Sequence, residues 1–429
     1  MRWTSRRRLL AGSAALSAVV LLGLYFRFRK GPPPRPAAPP PPADSRDGRW
    51  RQDLDYLAGE LPRLHGNLFW TMKRDEFAAA IASLEAAIPH LDDDEMAAGI
   101  ARIVAMANDA HTHVWLGKRR LPLVLYWFED GIFVVAARPD LRSALRCRVV
   151  RIGDTDIEEA TRRAAALVPS EGNEMWIRRQ VPELLVQTDV LHGLRILASA
   201  DRTRFVLRDA AGADSTVDVE PLRKGEKVQW TSALPEPVPE YRKKQRIAYW
   251  FESWSETHAL FFQYNTCEAM PDKPFADFCN ELFAAVDERR PEKLVIDLRF
   301  NEGGDSEVIR PFLRGLRSRP ELDRKDRVFV LVGRRTFSSG CDLARELRRS
   351  GRATLVGEPT GGNPSTPFRE SMQIQLPNSK LGVGLTWRFV GPRAEGSAVD
   401  PDLRVKSLST DYFAGRDPAL ETVLGSTPK

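Results

Sequence analysis

The sequence predicts an α/β fold with a largely parallel sheet, and three observations predict it. In the last third of the chain, short apolar runs rich in β-branched residues recur at Leu294–Leu298, Val328–Val332 and Ala353–Gly357. Amphipathic stretches of helical spacing separate them, which is the signature of right-handed βαβ crossovers. Each run is followed by a turn carrying glycines or hydroxyls, where parallel sheets gather their functional groups.

Taken in order, the chain opens with Leu9 to Phe26, 18 residues without a charge and flanked on both sides by arginine. As a helix this stretch is about 27 Å long, close to a bilayer core. No small-residue cleavage site follows it, so residues 1–30 are expected to be an uncleaved N-terminal membrane anchor. The competing reading is a cleaved signal, since Ser5-Arg-Arg-Arg-Leu-Leu10 resembles a twin-arginine export signal. Four arginines precede the span and three cations follow it, a bias toward a cytoplasmic N-terminus. The expected location is therefore a bacterial-type cell envelope, with the globular part outside the inner membrane. Residues 31–43 are dominated by proline and are expected to be a semi-rigid spacer.

Residues 44–117 read as a helical region, with helices near Phe77–Ile88 and Glu95–Ala107. Residues 118–240 read mostly as strands, at 123–128, 131–136 and 148–152, followed by a helix at 157–167 and a hairpin at 205–208 and 215–219. This is a small α+β unit without a catalytic constellation of its own. Residues 241–429 form the βαβ part: a strand at 259–264, a helix at 275–286 with one apolar stripe, and then the three runs above, with helices at 307–316 and 342–349.

Charge removes one class of partner. The net charge is +6, but residues 1–30 hold seven of the basic residues and no acid, leaving 57 basic against 58 acidic residues elsewhere. No basic domain remains to neutralise phosphates, so no nucleic-acid partner is expected. The four cysteines, Cys147, Cys267, Cys279 and Cys341, show no metal spacing, although a Cys267–Cys279 disulfide is conceivable outside the cytoplasm.

The chemistry centres on Thr336-Phe-Ser-Ser-Gly340, at the junction between a strand and a helix. A hydroxyl there sits on a tight turn beside the N–H groups of a helix start, which face any oxygen gaining negative charge. The bland alternative is that Ser338 and Ser339 only cap the helix. Gly303 and Gly304, in Arg299-Phe-Asn-Glu-Gly-Gly304, leave bare backbone N–H groups for close approach, or simply make a turn. His111 and His113 would share one face if Ala110–Trp115 is a strand. A metal site at that pair lacks any accompanying carboxylate motif, and no metal or cofactor is expected.

These residues resemble the serine peptidases that include the C-terminal processing (tail-specific) proteases and the core of the tricorn protease. Leu294-Val-Ile-Asp-Leu-Arg-Phe-Asn-Glu-Gly-Gly304 is similar to that family's strand and glycine turn, and Thr336–Gly340 to its nucleophile turn. Leu355-Val-Gly-Glu-Pro-Thr-Gly-Gly362, Glu395-Gly-Ser-Ala-Val-Asp-Pro-Asp402 and the tail Gly415–Glu421 follow in order. Earlier, Asn108-Asp-Ala-His-Thr-His113 resembles the family's Asp-x-His-Thr segment. The resemblance implies a crotonase/ClpP-like protease core, a PDZ-like domain at 118–240 and a protein or peptide substrate.

Carried over by position, the resemblance makes Ser338 the nucleophile, with the N–H of Ser339 and of Gly303 or Gly304 as oxyanion hole. The processing-protease branch carries a lysine base where this chain has Asn363, so a Ser–Lys dyad is not expected. The tricorn branch uses a histidine aided by a downstream glutamate. His111 and Glu395 match those positions, with His113 the second choice of base. A serine peptidase with a Ser338–His111–Glu395 arrangement is the expectation. The alternatives are a catalytically inactive binding or scaffold protein on the same fold, and a metal-dependent hydrolase using His111 and His113.

Overall fold

The computed structural model describes residues 32–322, 324–391 and 396–425. The expected anchor lies outside them, and among the described residues no helix is long and apolar enough to cross a membrane. Contacts divide the chain into residues 1–37 and 38–429. Residues 32–43 form neither helix nor strand.

Within the second unit, helices α1 (Arg46–Leu64), α2 (Arg74–Ala87) and α3 (Asp93–Ala105) come first. Asp92 caps α3 by accepting from the backbone of Asp94 and Glu95, while Glu95 reaches back to the N–H of Asp92. This capping box fixes where the helix starts.

The middle of the chain forms one antiparallel sheet from β1 (Leu123–Phe128), β2 (Gly131–Ala137), β3 (Arg148–Ile152), β4 (Thr155–Asp156), β5 (Thr203–Arg208), β6 (Asp214–Val219) and β7 (Thr231–Ser232). Helices α4 (Ile157–Ala165), α5 (Glu174–Leu184) and α6 (Thr188–Gly193) cover it. Their shared core includes Leu123, Val134, Val149, Ala160, Val181 and Phe205.

After α7 (Glu240–Lys243) comes the second sheet, of β8 (Tyr249–Trp254), β9 (Ala259–Tyr264), β10 (Lys293–Asp297), β11 (Val328–Val332), β12 (Thr354–Gly357) and β15 (Leu403–Arg404). Its order is β15-β12-β11-β10-β9-β8, and every pair is parallel except the β8–β9 edge. The unbroken apolar runs of the sequence follow from burial on both faces. Leu294, Ile296, Val328 and Val330 face α8 (Phe275–Arg289), α9 (Arg310–Arg317) and α10 (Ser338–Arg349) through Phe278, Phe312 and Leu343. Val295, Phe329, Leu331 and Val356 face the opposite way, against Ala419, Leu420 and Val423 of α12 (Pro418–Gly425), which follows α11 (Ser409–Phe413).

A hairpin, β13 (Phe368–Gln375) and β14 (Gly382–Phe389), leaves the second sheet and packs on the N-terminal helices. Ile374, Leu381, Val383 and Leu385 complete the core that Leu57, Leu61, Ile100 and Val104 begin. This hairpin, β8 and α5 are absent from the sequence reading. β13 mixes polar and apolar residues because only part of it is buried, and α5 contains Pro182, so neither has a clean period.

Three other expectations shift. α9 starts at Arg310 rather than 307, because Pro311 suits a first helical turn. α10 starts earlier than read, at Ser338. Cys267 and Cys279 are both free and buried, so they form no disulfide. Cys267 instead donates to Asn301 Oδ1 at 3.4 Å.

Beyond the end of β10, Arg299 bonds Asp297 through Nε (3.0 and 3.1 Å) and Nη2 (2.6 Å), and Asp417 through Nη1 (2.7 Å) and Nη2 (2.8 Å). Both carboxylates are buried, and their charges hold the guanidinium well above its ordinary pKa against the opposing effect of burial. The triad ties the C-terminal tail to the centre of the sheet. Arg299→Ala strands two buried charges and is expected to cost about 3–5 kcal/mol in denaturant unfolding. A loss below about 1 kcal/mol would contradict this account.

Candidate active site

The site assembles where the loop after β10 meets the loop after β11. Thr336 Oγ1 donates to Leu298 O at 2.9 Å and accepts from the N–H of Gly333 at 3.1 Å. The N–H of Phe337 donates to Asn301 O at 2.9 Å. These bonds press Ser338 into the left-handed region, with φ +48°. Such a conformation costs on the order of 1 kcal/mol in a non-glycine residue and persists only when its surroundings enforce it.

The approach is close enough to dictate glycine. A Cβ on Gly303, at φ +109°, would lie 2.7 Å from Ser338 Cβ, and one on Gly340 would lie 2.6 Å from Asn301 O. Asn301 is fully buried and serves both loops. Its Nδ2 donates to Tyr264 O at 3.0 Å, and its Oδ1 accepts from the N–H of Gly303 at 3.0 Å. The Gly303 N–H is therefore already engaged. Among the described residues no hydrogen bond occupies the N–H of Gly304 or of Ser339, while Ser339 Oγ donates to Gly304 O at 2.7 Å.

Across this junction stands His111, 227 positions earlier in the chain, with Nε2 3.2 Å from Ser338 Oγ. Its ring packs against Phe337 at 4.7 Å, and Phe337 in turn stacks on Trp176 at 4.0 Å. His111 lies on a turn; only the following segment pairs with β14, through the N–H groups of His113 and Trp115 to the carbonyls of Gly384 and Gly382. His111 and His113 thus do not share a strand face. His113 sits edge-on to Trp115, and burial first, then the charge of His111, lower its pKa.

Two carboxylates flank His111. The Nδ1 atom is buried without a hydrogen-bond partner and lies 3.8 Å from Asp109 Oδ1. Asp109 is itself fully buried; it accepts from Thr112 and Thr386 at 2.6 Å each and meets His65 Nε2 at 3.3 Å. Burial would raise its pKa, but His111, His65 and Thr112 outweigh that and keep it ionised. The second is Glu171, in the loop before α5. It accepts from the N–H of Ala110 at 3.0 Å, from Asn363 Nδ2 at 2.6 Å and from Thr366 at 3.2 Å, while its own N–H donates to Asn108 Oδ1 at 2.8 Å. Burial first, then the charge of Asp109, push its carboxyl up to about 7.

One atom from each of Asp109, His111 and Glu171 falls within 4.8 Å of the other two, close enough to hold a cation. This trio replaces the His111–His113 pair weighed from sequence. The hydrogen bonds already made by both carboxylates compete with such a use. Glu395, expected to orient the base, lies outside the described residues. The segment beyond it is held by Thr360 Oγ1, which accepts from the N–H of Val399 at 2.9 Å, and by Asn173 Nδ2, which donates to Ser397 O at 2.8 Å.

Sequence reasoning missed Asp109, Glu171 and Asn301. Asp109 and Asn301 lie inside the segments 108–113 and 299–304, whereas Glu171 comes from a loop without any pattern, and only folding brings it to Asn363.

An imidazole within hydrogen-bond reach of a serine on a strained turn, beyond the carboxyl ends of a parallel sheet, is the arrangement of a serine hydrolase. Residues 310–405 match the model of Peptidase family S41. A protein of Sulfurisphaera tokodaii described as a tricorn-like protease C-terminal subunit is 26% identical over 176 residues, 36% of this chain and 20% of that relative. The chain therefore matches only one fifth of the length of that relative. Among solved structures, mature CPAF complexed with lactacystin has a TM-score of 0.61 at 13% identity, covering 88% of this chain and 97% of the other. Mature CPAF alone gives 0.59 at 13% identity over 88% and 96%. The match at 310–405 is to the S41 peptidases and the relative is described as tricorn-like, in keeping with the resemblance of the motifs; the likeness to CPAF is one of fold.

The raised carboxyl of Glu171 yields a test. A carboxyl whose folded pKa lies above its unfolded value adds stability that is complete below the unfolded value and is lost as pH rises through the folded one. Glu171→Gln removes that loss. The variant should match wild type near pH 4 and exceed it by up to about 3 kcal/mol above about pH 8. Denaturant unfolding across that range measures the difference, and one independent of pH would contradict the assignment.

Proposed function

We propose that this chain is a serine peptidase that cleaves peptide bonds through an acyl-enzyme on Ser338. The observation that carries the proposal is the 3.2 Å separation of His111 Nε2 and Ser338 Oγ. In this reading His111 takes the hydroxyl proton as the serine attacks the scissile carbonyl, and returns it to the leaving amine. A water then attacks the ester with the same base. The backbone N–H groups of Ser339 and Gly304 receive the oxyanion.

The proton held on Nδ1 during this exchange needs a negative partner. In this reading Asp109, with Oδ1 3.8 Å away, serves as that partner once bound substrate draws the two together. Glu171 holds the backbone of Ala110 and thus the turn bearing His111. The resemblance adds Glu395 to this group. Asn363, standing where the processing proteases carry lysine, holds Glu171 and supplies no base.

The substrate class, protein or peptide, rests on the family match. The equivalence of the β1–β7 unit to a PDZ-like domain rests on chain order, and that of the second sheet to a crotonase/ClpP-like core rests on its crossovers. The anchor reading rests on the uncharged run at 9–26. It requires the full chain to stay with membranes through an alkaline wash and to be released when residues 1–30 are deleted.

Labelling of the full chain with a fluorophosphonate tests the chemistry. Wild type and Ser339→Ala should label, whereas Ser338→Ala should not, and His111→Ala should slow labelling by at least about a thousandfold. Circular dichroism of each variant should be unchanged. Normal labelling of His111→Ala would remove the base, and an unlabelled wild type would favour a binding protein on this fold.

A further inference from the structure

On the same edge of the parallel sheet, but away from Ser338, lies a second cavity of about 120 Å³. Its floor is the carboxyl end of β10, β11 and β12, at Arg299, Gly333 and Glu358, and α7 and α11 form its walls. Ligands of open α/β sheets collect beyond these strand ends.

The lining is rich in arginine, and nearly all of that charge is spent within the protein. Arg299 is matched by Asp297 and Asp417, Arg334 by Glu358, Arg335 by Glu302, and Arg416 by Asp411 and Glu421. Arg242 is different. Among the described residues it makes no ion pair with a carboxylate, and its Nε is buried without a hydrogen-bond partner, although Tyr241 and Tyr412 outweigh burial and hold its pKa above the ordinary value. Its guanidinium is set among aromatic rings, 5.2 Å from Tyr241, 5.3 Å from Phe300 and 5.2 Å from Tyr412. Ring faces offset part of the cost of desolvating a cation, but they do not replace a counter-ion.

Aromatic rings also line the walls. Tyr126 lies nearly parallel to Tyr412 at 6.4 Å, and Tyr241 to Phe300 at 5.8 Å. Lys406 lines the same cavity with its side chain largely exposed, 3.8 Å from Glu129.

We propose that this cavity binds a small planar carboxylate, its one negative charge set against Arg242 and its body against the tyrosine and phenylalanine faces. The planar guanidinium fork matches a carboxylate through two parallel hydrogen bonds, which an arginine without a carboxylate partner can supply. The site is separate from the peptidase chemistry and stands whether or not Ser338 is a nucleophile. It shares Arg335 and Phe300 with the cleft beside Gly303 and Gly304, so an occupant rests against the loops that carry the nucleophile turn.

Calorimetric titration of the full chain with benzoate, and separately with inorganic phosphate, tests the proposal alongside Arg242→Met and Arg242→Lys. Wild type should bind benzoate saturably, Arg242→Met should bind it at least about tenfold more weakly, and Arg242→Lys should fall between. Without ligand, the circular dichroism of Arg242→Met should match wild type, so that lost binding reports the arginine rather than the fold. Binding of phosphate but not benzoate would overturn the carboxylate assignment. Equal binding by wild type and Arg242→Met, or none by wild type, would overturn the site. So would a ligand-free Arg242→Met that melts lower while wild type ignores both anions, because the arginine would then serve only packing.

Discussion

The contact between residues 301–304 and residues 336–340 is the constraint on which the rest of the site depends. Two loops at the ends of neighbouring parallel strands approach until backbone meets backbone, and only glycine fits at positions 303 and 340. Asn301 closes the contact from below, with its amide on Tyr264 and Gly303 and its carbonyl on Phe337. The left-handed backbone of Ser338 is a product of this junction rather than a preference of the residue. The doubly covered sheet beneath gives the junction a rigid base, as core packing does not deform continuously.

The histidine arrives from elsewhere, and its placement is a matter of hydrogen-bond accounting. Asp109 is buried among hydroxyls from Thr112 and Thr386 and the ring of His65. A buried carboxylate so surrounded stays charged, and a charged carboxylate resists displacement from its donors. The turn carrying His111 is thereby pinned to β14 on one side. Through Glu171 it is pinned to the middle unit and to Asn363 on the other. Three stretches far apart in the chain thus define the position of one imidazole.

Much of this architecture was legible in the sequence, and the reason is periodicity. The strands at 259–264 and 328–332 are buried throughout, those at 123–128 and 148–152 are apolar enough to stand out despite a broken alternation, and the bounds of all four agree with the reading from sequence. Ser338 and His111 were legible only through the resemblance of the segments around them to the family's motifs; the residues alone left helix capping and a structural histidine open. What escaped has no local signal. The β13–β14 hairpin is half-polar because it covers the N-terminal helices on one side only, and Glu171 is one acid among many until folding sets it beside Asp109. The engagement of the Gly303 N–H by Asn301 depends on a side-chain rotation that spacing does not encode.

The hairpin at 368–389 has a further consequence for the order in which the protein comes into being. The N-terminal helices leave an apolar face uncovered until Ile374, Val383 and Leu385 have been made. The His111 turn likewise lacks its β14 partner until Gly384 exists. During synthesis, most of the polypeptide must therefore emerge before histidine and serine can meet. A nascent chain with both residues already translated still lacks the β14 backbone that the His111 turn pairs with.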